Sequence, residues 1–111
     1  MPLQIAQRLL VLSSPSGDVQ VPVRLFQPEE KDGMWICRYE IDWPRGTKSH
    51  FAAGIDGMQA LVLAIRTVGA EIYASDYHKS GSLRWFQPGL GYGFPAPPSF
   101  RDMLIGDDVN M

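Results

Sequence analysis

Cys37, His50 and His78 carry the side chains of this chain that most often act as nucleophiles, bases or transition-metal ligands. A cysteine nucleophile needs a base beside it, so Cys37 would have to meet one of the two histidines. The alternation of apolar residues puts Cys37 on one face of a predicted sheet and His50 on the opposite face. We therefore interpret Cys37 as a buried, inert thiol. One cysteine and two histidines without close spacing also predict no metal site and no other cofactor.

A polar patch on two neighbouring predicted strands has the residue types of acid–base chemistry: Glu40, Asp42, Lys48 and His50. The predicted register sets Asp42 opposite Lys48. It also sets Glu40 opposite His50, and a solvated ladder of cross-strand charges explains both pairs equally well. Asp56 comes directly before a predicted helix, where a carboxylate caps backbone amides. We therefore predict no catalytic residue and a protein that is not an enzyme.

Residues 89–93 read Gly-Leu-Gly-Tyr-Gly and are superficially similar to a glycine-rich phosphate loop. A phosphate loop follows a strand and opens directly into a helix, because the helix N-terminus binds the anion. Prolines follow this stretch instead. We interpret its glycines as turn positions that let Tyr92 and Phe94 fold back onto the domain.

The composition limits both the size of the domain and its partners. A chain of 111 residues that is 45% hydrophobic fits one domain with a single core, predicted over residues 1–105 with a mobile tail at 106–111. Its 10 basic and 12 acidic residues are mixed along the chain and leave no cationic stripe for nucleic acid. No apolar run reaches the roughly 18 residues of a membrane span, and the first residues do not resemble a secretory signal. We expect a cytoplasmic protein.

Four runs of residues predict strands that position these side chains. Residues 4–12 and 19–27 flank a cluster of turn formers and predict a hairpin, with Leu9 opposite Val21 so that odd-numbered apolar residues share a face. Residues 34–43 give the strongest strand signal, and residues 47–55 pair with them so that Tyr39 meets Phe51. The fold class is therefore α+β: a four-stranded antiparallel meander, with residues 83–86 as a candidate fifth strand, packed on one long helix.

The helix begins with a capping box, because Asp56 is followed three residues later by Gln59 at the front of an apolar run. The run predicts a helix over residues 60–77. Gly69 interrupts it at a cost of about 1 kcal/mol relative to alanine, which predicts a close approach to the sheet. The residues predicted to face the sheet recur at spacings of three and four: Leu61, Ala64, Ile65, Val68 and Ile72.

Several of these runs together carry a family resemblance. Residues 35–41, the Gly-Ile-Asp-x-x-Gln-Ala-Leu stretch at 54–61, residues 83–85 and the Gly-Phe-Pro segment at 93–95 resemble a family of small bacterial proteins. The resemblance spans residues 34–95 and implies a strand meander, a capped helix and a domain of unknown function in the bacterial cytoplasm. That family has no established activity, so the resemblance transfers no site residue.

Four aromatic residues lie on strands at positions that suit either a core or a ligand pocket between sheet and helix. Core packing is the commoner role of aromatic residues that alternate along a strand. A small-molecule-binding protein or an enzyme built on this pocket is the alternative function. The pocket would be lined by Trp35, Tyr39, Trp43 and Trp85.

The face of the sheet that should contact water carries an unexpected apolar set, with Phe26 predicted opposite Met34. The chain's own C-terminal segment, through Leu90, Phe94, Phe100 and Leu104, or a second chain would have to cover it. An open sheet edge favours a second chain. We therefore predict a protein-association module, either a homodimer or a small partner-binding protein of the immunity type. The predicted interface residues are Leu10, Leu12, Phe26, Met34 and Ile36.

Overall fold

A computed structural model describes residues 2–95 and 103–110, and the alternating runs of the sequence form antiparallel strands in it. The described residues contain six strands in one sheet, more than the four or five predicted, and one main helix, so the α+β class is confirmed. The strands are β1 (Gln4–Ser14), β2 (Gly17–Phe26), β3 (Glu29–Lys31), β4 (Met34–Trp43), β5 (Gly46–Gly54) and β6 (Leu83–Arg84). The helices are α1 (Gly57–Ala74), the short α2 (Asp76–Lys79) and a 3₁₀ helix at Gly106–Asn110.

The sheet is five strand positions wide, because β2 and β3 lie end to end along the same side of β4. Across the sheet the order is β5, β4, β2 with β3, β1 and β6. Helix α1 packs on β4 and β5 from one side. The described chain therefore forms two layers, and the sheet face opposite α1, hereafter the outer sheet face, has no helix on it.

The predicted register of the first hairpin is wrong by one residue. Leu10 pairs with Val21, whereas the alternation predicted Leu9 at that position. Residues 9–12 are all apolar, so alternation alone cannot choose their inner face. The turn determines which of these residues face the core, because only two residues separate the paired Ser14 and Gly17 and this fixes the register.

The predicted register between β4 and β5 is also wrong by one residue. Tyr39 pairs with His50 rather than with Phe51, because a two-residue turn joins Trp43 to Gly46. The pairs that the sequence predicted, Asp42 with Lys48 and Glu40 with His50, are replaced by Asp42 with Thr47, Glu40 with Ser49 and Ile41 with Lys48.

Phe26 does not lie opposite Met34, because the loop predicted at residues 28–33 contains β3. Asp32 and Gly33 both have positive φ, at 53° and 82°, as a tight hairpin turn of this kind requires. This turn pairs β3 with the start of β4. The pairing of β2 with β4 is therefore shifted by four residues from the predicted register, and Leu25 pairs with Tyr39.

Helix α1 begins where the capping box predicts. The Asp56 carboxylate accepts a hydrogen bond from the Gln59 amide at 2.8 Å, and the Gln59 side chain accepts one from the Ile55 amide at 2.8 Å. The helix ends at Ala74, because the Ser75 hydroxyl caps α2 by accepting from the His78 amide. Its fully buried aliphatic residues are Ala60, Ala64, Val68 and Ile72, whereas the predicted Leu61 and Ile65 are half-buried.

The close approach at Gly69 is to the C-terminal segment and not to the sheet. A Cβ added to Gly69 would overlap the Pro95 carbonyl oxygen, so the missing side chain lets this segment lie on α1. Residues 106–110, which the sequence predicted as part of a mobile tail, form the 3₁₀ helix. Asp108 is fully buried there, with both carboxylate oxygens hydrogen-bonded. Met111 and the predicted anchor Phe100 lie outside the described residues.

Candidate functional site

Among the described residues, no hydrogen bond joins the three residues with reactive side chains. Cys37 is fully buried, its thiol donates to the Phe26 carbonyl oxygen at 3.3 Å, and desolvation raises its pKa to about 11. The corrected register puts His50 on the same face as Cys37, so the prediction of opposite faces is wrong, and the exposed imidazole stacks on Tyr39. His78 lies beyond α1, where its Nδ1 is 2.6 Å from the Tyr92 hydroxyl. Burial lowers the pKa of His78.

The four aromatic residues predicted to line one pocket have different neighbours. Tyr39 is fully buried beside His50, and Trp43 stacks on Tyr77 with ring centroids 5.1 Å apart. The Trp85 ring lies 3.9 Å from the Arg8 guanidinium. Trp35 is half-buried beside the first turn of α1. The structure therefore does not gather them around a shared space.

The centre of the outer sheet face holds a cluster of paired charges. Arg24 donates to the Glu40 carboxylate at 3.0 Å and to both oxygens of Asp42 at 2.6 and 2.8 Å. The Thr47 hydroxyl also donates to Asp42, at 2.7 Å. Hydrogen bonds from Arg24 and then Thr47 lower the pKa of Asp42 to about 2. The cluster thus pairs its charged groups within the chain, with one carboxylate in excess, while remaining partly exposed.

Apolar side chains flank this cluster on both sides. The observed registers place Leu9, Val11 and Pro22 on the outer sheet face towards β6. They place Phe26, Ile36 and Phe51 on the same face beyond the other end of the cluster. Leu9 is 40% exposed and Phe51 is 42% exposed. A groove of about 780 Å³ is lined by Phe26, Phe51 and Arg38 among others.

Only part of the predicted interface lies on this surface. Phe26 and Ile36 are half-buried there, and Met34 is 43% exposed at the start of β4. Leu10 and Leu12 face α1 in the core, with exposures of 0% and 7%, so they cannot contribute to the outer sheet face. Leu9 and Phe51 take their place, and the tight turns that fix the two registers are the sequence signal that would have found them.

The family comparison agrees with the resemblance seen in the sequence. Residues 6–96 match the model of a family described as "Domain of unknown function (DUF6968)". The chain belongs to this family. No curated protein and no solved structure matches it.

The β5 edge of this DUF6968 domain is open among residues 2–95 and 103–110, but its polar groups are partly occupied. The Phe51 amide donates to His50 Nδ1 at 2.8 Å, which covers one backbone donor. Lys48 turns towards α1, with its Nζ 3.4 Å from a Glu71 carboxylate oxygen. One backbone donor of this edge is thus already hydrogen-bonded within the chain.

The described residues of this DUF6968 domain contain neither a metal-binding cluster nor a membrane-spanning helix. Among the described residues, no three His, Cys, Asp or Glu side chains come together in a way that could hold a metal ion. No helix in that part of the chain combines the length and apolar character needed to cross a bilayer.

Proposed function

We propose that the protein is a protein-association module that forms a homodimer by stacking its outer sheet face on the same face of a second copy. The observation that carries this proposal is the exposure of Leu9 and Phe51 on a sheet face that no other described residues cover. Exposed apolar side chains grouped on one face are typical of interaction sites.

The distribution of residues on this face favours a second copy over an unrelated partner. Along this face an apolar region that contains Leu9 is followed by the charged cluster and then by a second apolar region that contains Phe51. This order is the same when read from either end, so a two-fold rotation brings apolar ends onto apolar ends. Two-fold interfaces require this kind of self-complementarity.

The electrostatics of the face support the same arrangement. Arg24 already pairs with Glu40 and Asp42 inside each chain, which leaves one carboxylate in excess. Arg38 lies on the same face opposite Phe51 and offsets that charge, so a partner need not supply a strong opposite charge. A strongly basic or acidic partner would instead be expected to meet a face with unpaired charge of the other sign. Displaced arrangements would set this cluster against an apolar end, and they are disfavoured because the charges would lose their hydration there.

The test is the solution mass of the wild type beside two variants, measured by size exclusion with light scattering at tens of micromolar. We expect a wild-type dimer and a monomer for Phe51→Glu. Burial at a packed interface removes water from the new carboxylate, and the neighbouring Arg38 compensates for that cost only in part. Met58→Glu is the matched control, since Met58 is 71% exposed on α1 in the other layer and this variant should remain dimeric.

Two results would overturn the proposal. A monomeric wild type at these concentrations would exclude self-association of useful strength and leave an unrelated protein partner as the occupant of the face. A Phe51→Glu variant that stays dimeric would show that the copies associate through another surface.

We further propose that the protein works in the bacterial cytoplasm. The support is the family resemblance together with the single thiol of Cys37, which is buried and has no cysteine partner in the sequence. A fluorescent fusion in a bacterial cell should therefore distribute through the cytoplasm, and enrichment in the periplasm would contradict this placement.

A further inference from the structure

A second feature of the molecule is a cavity of about 300 Å³ between the sheet, α1 and the Gly-Phe-Pro segment. Val23 and Leu25 line it from β2, Ile65 and Val68 line it from α1, and Phe94 closes one side. The volume is at the lower end of the range for small-molecule sites, which are concave and mostly apolar with a few placed polar groups. None of the four aromatic residues predicted for a pocket lines this cavity.

Arg8 is the one charged side chain among the residues that line the cavity. Its guanidinium lies between two aromatic rings, 3.9 Å from the centroid of Trp85 and 4.9 Å from that of Phe94. One terminal nitrogen donates to the carbonyl oxygens of Gly93 at 2.7 Å and Tyr92 at 3.3 Å. The stacking and these hydrogen bonds hold the guanidinium in a fixed position at the cavity wall.

The Arg8 charge has no direct counter-ion among the described residues. The carboxylate that acts on it electrostatically is Asp108, whose oxygens accept from the Tyr73 hydroxyl and from two backbone amides instead. An arginine carries five N–H donors, and the two carbonyl oxygens engage one nitrogen only. The remaining planar donors match the geometry of a carboxylate.

We propose that this cavity binds a small organic monocarboxylate with an apolar body. The carboxylate pairs with the free donors of Arg8, and the apolar part lies against Val23, Leu25 and Ile65. The ligand would give Arg8 the direct counter-ion that the described residues do not provide, and it would fill apolar space in the same step. This site is separate from the outer sheet face, because Arg8 pairs with Val23 on the side of the sheet that α1 covers.

The experiment is a titration of the full chain with hexanoate, followed by backbone amide chemical shifts and the Trp85 indole signal. Hexanamide is the matched neutral ligand. We expect hexanoate at millimolar concentration to shift signals of the cavity residues, and hexanamide to bind roughly ten- to a hundredfold more weakly, because hydrogen bonds to charged groups contribute more than neutral ones.

Two variants separate the site from general effects on folding. Ala6→Phe fills the cavity from β1 without touching the guanidinium, and it should abolish binding while the amide spectrum stays dispersed. Arg8→Lys keeps the charge but loses the planar donors, and we expect at least about tenfold weaker binding. Val62→Phe is the control, since Val62 is exposed on α1 and lies outside both the cavity lining and the outer sheet face, and this variant should bind as the wild type does.

Three outcomes would overturn the site. Hexanoate could fail to bind at millimolar concentration, it could bind no better than hexanamide, or its shifts could map away from the cavity and persist in Ala6→Phe. None of these results depends on the solution mass, so failure of the carboxylate site and failure of the dimer are distinguishable.

Discussion

The protein has two polar clusters whose surroundings are opposite. Asp108 is fully buried between α1 and residues 92–93. Its oxygens accept from the Tyr73 hydroxyl at 2.6 Å and from the amides of Tyr92 and Gly93 at 2.8 and 2.7 Å. Arg24 and Asp42 on the outer sheet face make bonds of similar length, yet their side chains are 20% and 33% exposed.

The difference is in what each cluster can contribute. A buried polar group without its partner costs the full desolvation penalty, so the Asp108 cluster holds the C-terminal segment in place. A partly exposed ion pair contributes little to folding, because water replaces a lost partner. The outer cluster can therefore be changed with small effect on folding, which suits the association surface that we propose.

The largest effect should come from Asp108→Ala. This change leaves one hydroxyl and two backbone amides buried without an acceptor, and we expect it to lower the free energy of unfolding by about 3–5 kcal/mol. Urea unfolding followed by tryptophan fluorescence measures the loss. Asp107→Ala is the control, since Asp107 is exposed and its removal should change stability by less than about 0.5 kcal/mol. Equal effects of the two variants would show that the Asp108 network does not hold the segment.

An intermediate loss of stability is expected from Gly69→Ala, which tests the contact between α1 and the C-terminal segment. In an uncrowded helix this change would stabilise the protein by about 1 kcal/mol. Here the new Cβ overlaps the Pro95 carbonyl oxygen, so the segment must move, and we expect a net loss of about 1–2 kcal/mol. The sign of the change in the free energy of unfolding, measured by urea unfolding, tests this contact. A variant more stable than the wild type would mean that Pro95 does not pack closely on Gly69.

The two clusters also show what the sequence can reveal. The cap of α1 was predictable because Asp56 and Gln59 are three residues apart, and capping is a local interaction. Asp108 was missed because its partners are 15 to 35 residues away, and no local pattern marks a carboxylate that folding will bury.

The outer cluster was predicted in part and with the wrong partners. Glu40 and Asp42 were placed on the wet face correctly, but the alternation of residues could not fix which residues of β5 face them. Two-residue turns fix the register of β1 with β2 and that of β4 with β5. The sequences of these two turns are less typical of tight hairpins than Asp32-Gly33 is. Leu9 and Phe51 became visible as surface residues only once the turns were known.

The smallest loss of stability should come from Asp42→Asn. This loss should depend on pH, because the charge of Asp42 in the partly exposed cluster is what contributes to stability. The pKa of Asp42 in the folded protein is about 2, below its ordinary value of 3.8, mainly because Arg24 donates to the carboxylate. A lowered pKa contributes stability above the ordinary value, and this contribution disappears as the pH falls through about 2. Since Asp42 is a third exposed, we expect less than about 1 kcal/mol near neutral pH.

The measurement is the urea midpoint of wild type and Asp42→Asn from neutral pH down to about pH 2, the folded-state pKa of Asp42. The two curves should be separated near neutrality and converge at the acid end. Arg24→Gln supplies the control, because without the guanidinium the pKa of the Asp42 carboxyl should rise towards its ordinary value, although Thr47 still donates to it, and the acid-linked loss should shrink. A difference that stays constant with pH would mean that Asp42 stabilises the sheet by packing rather than by charge, and the outer cluster would then resemble the buried one more than its exposure suggests.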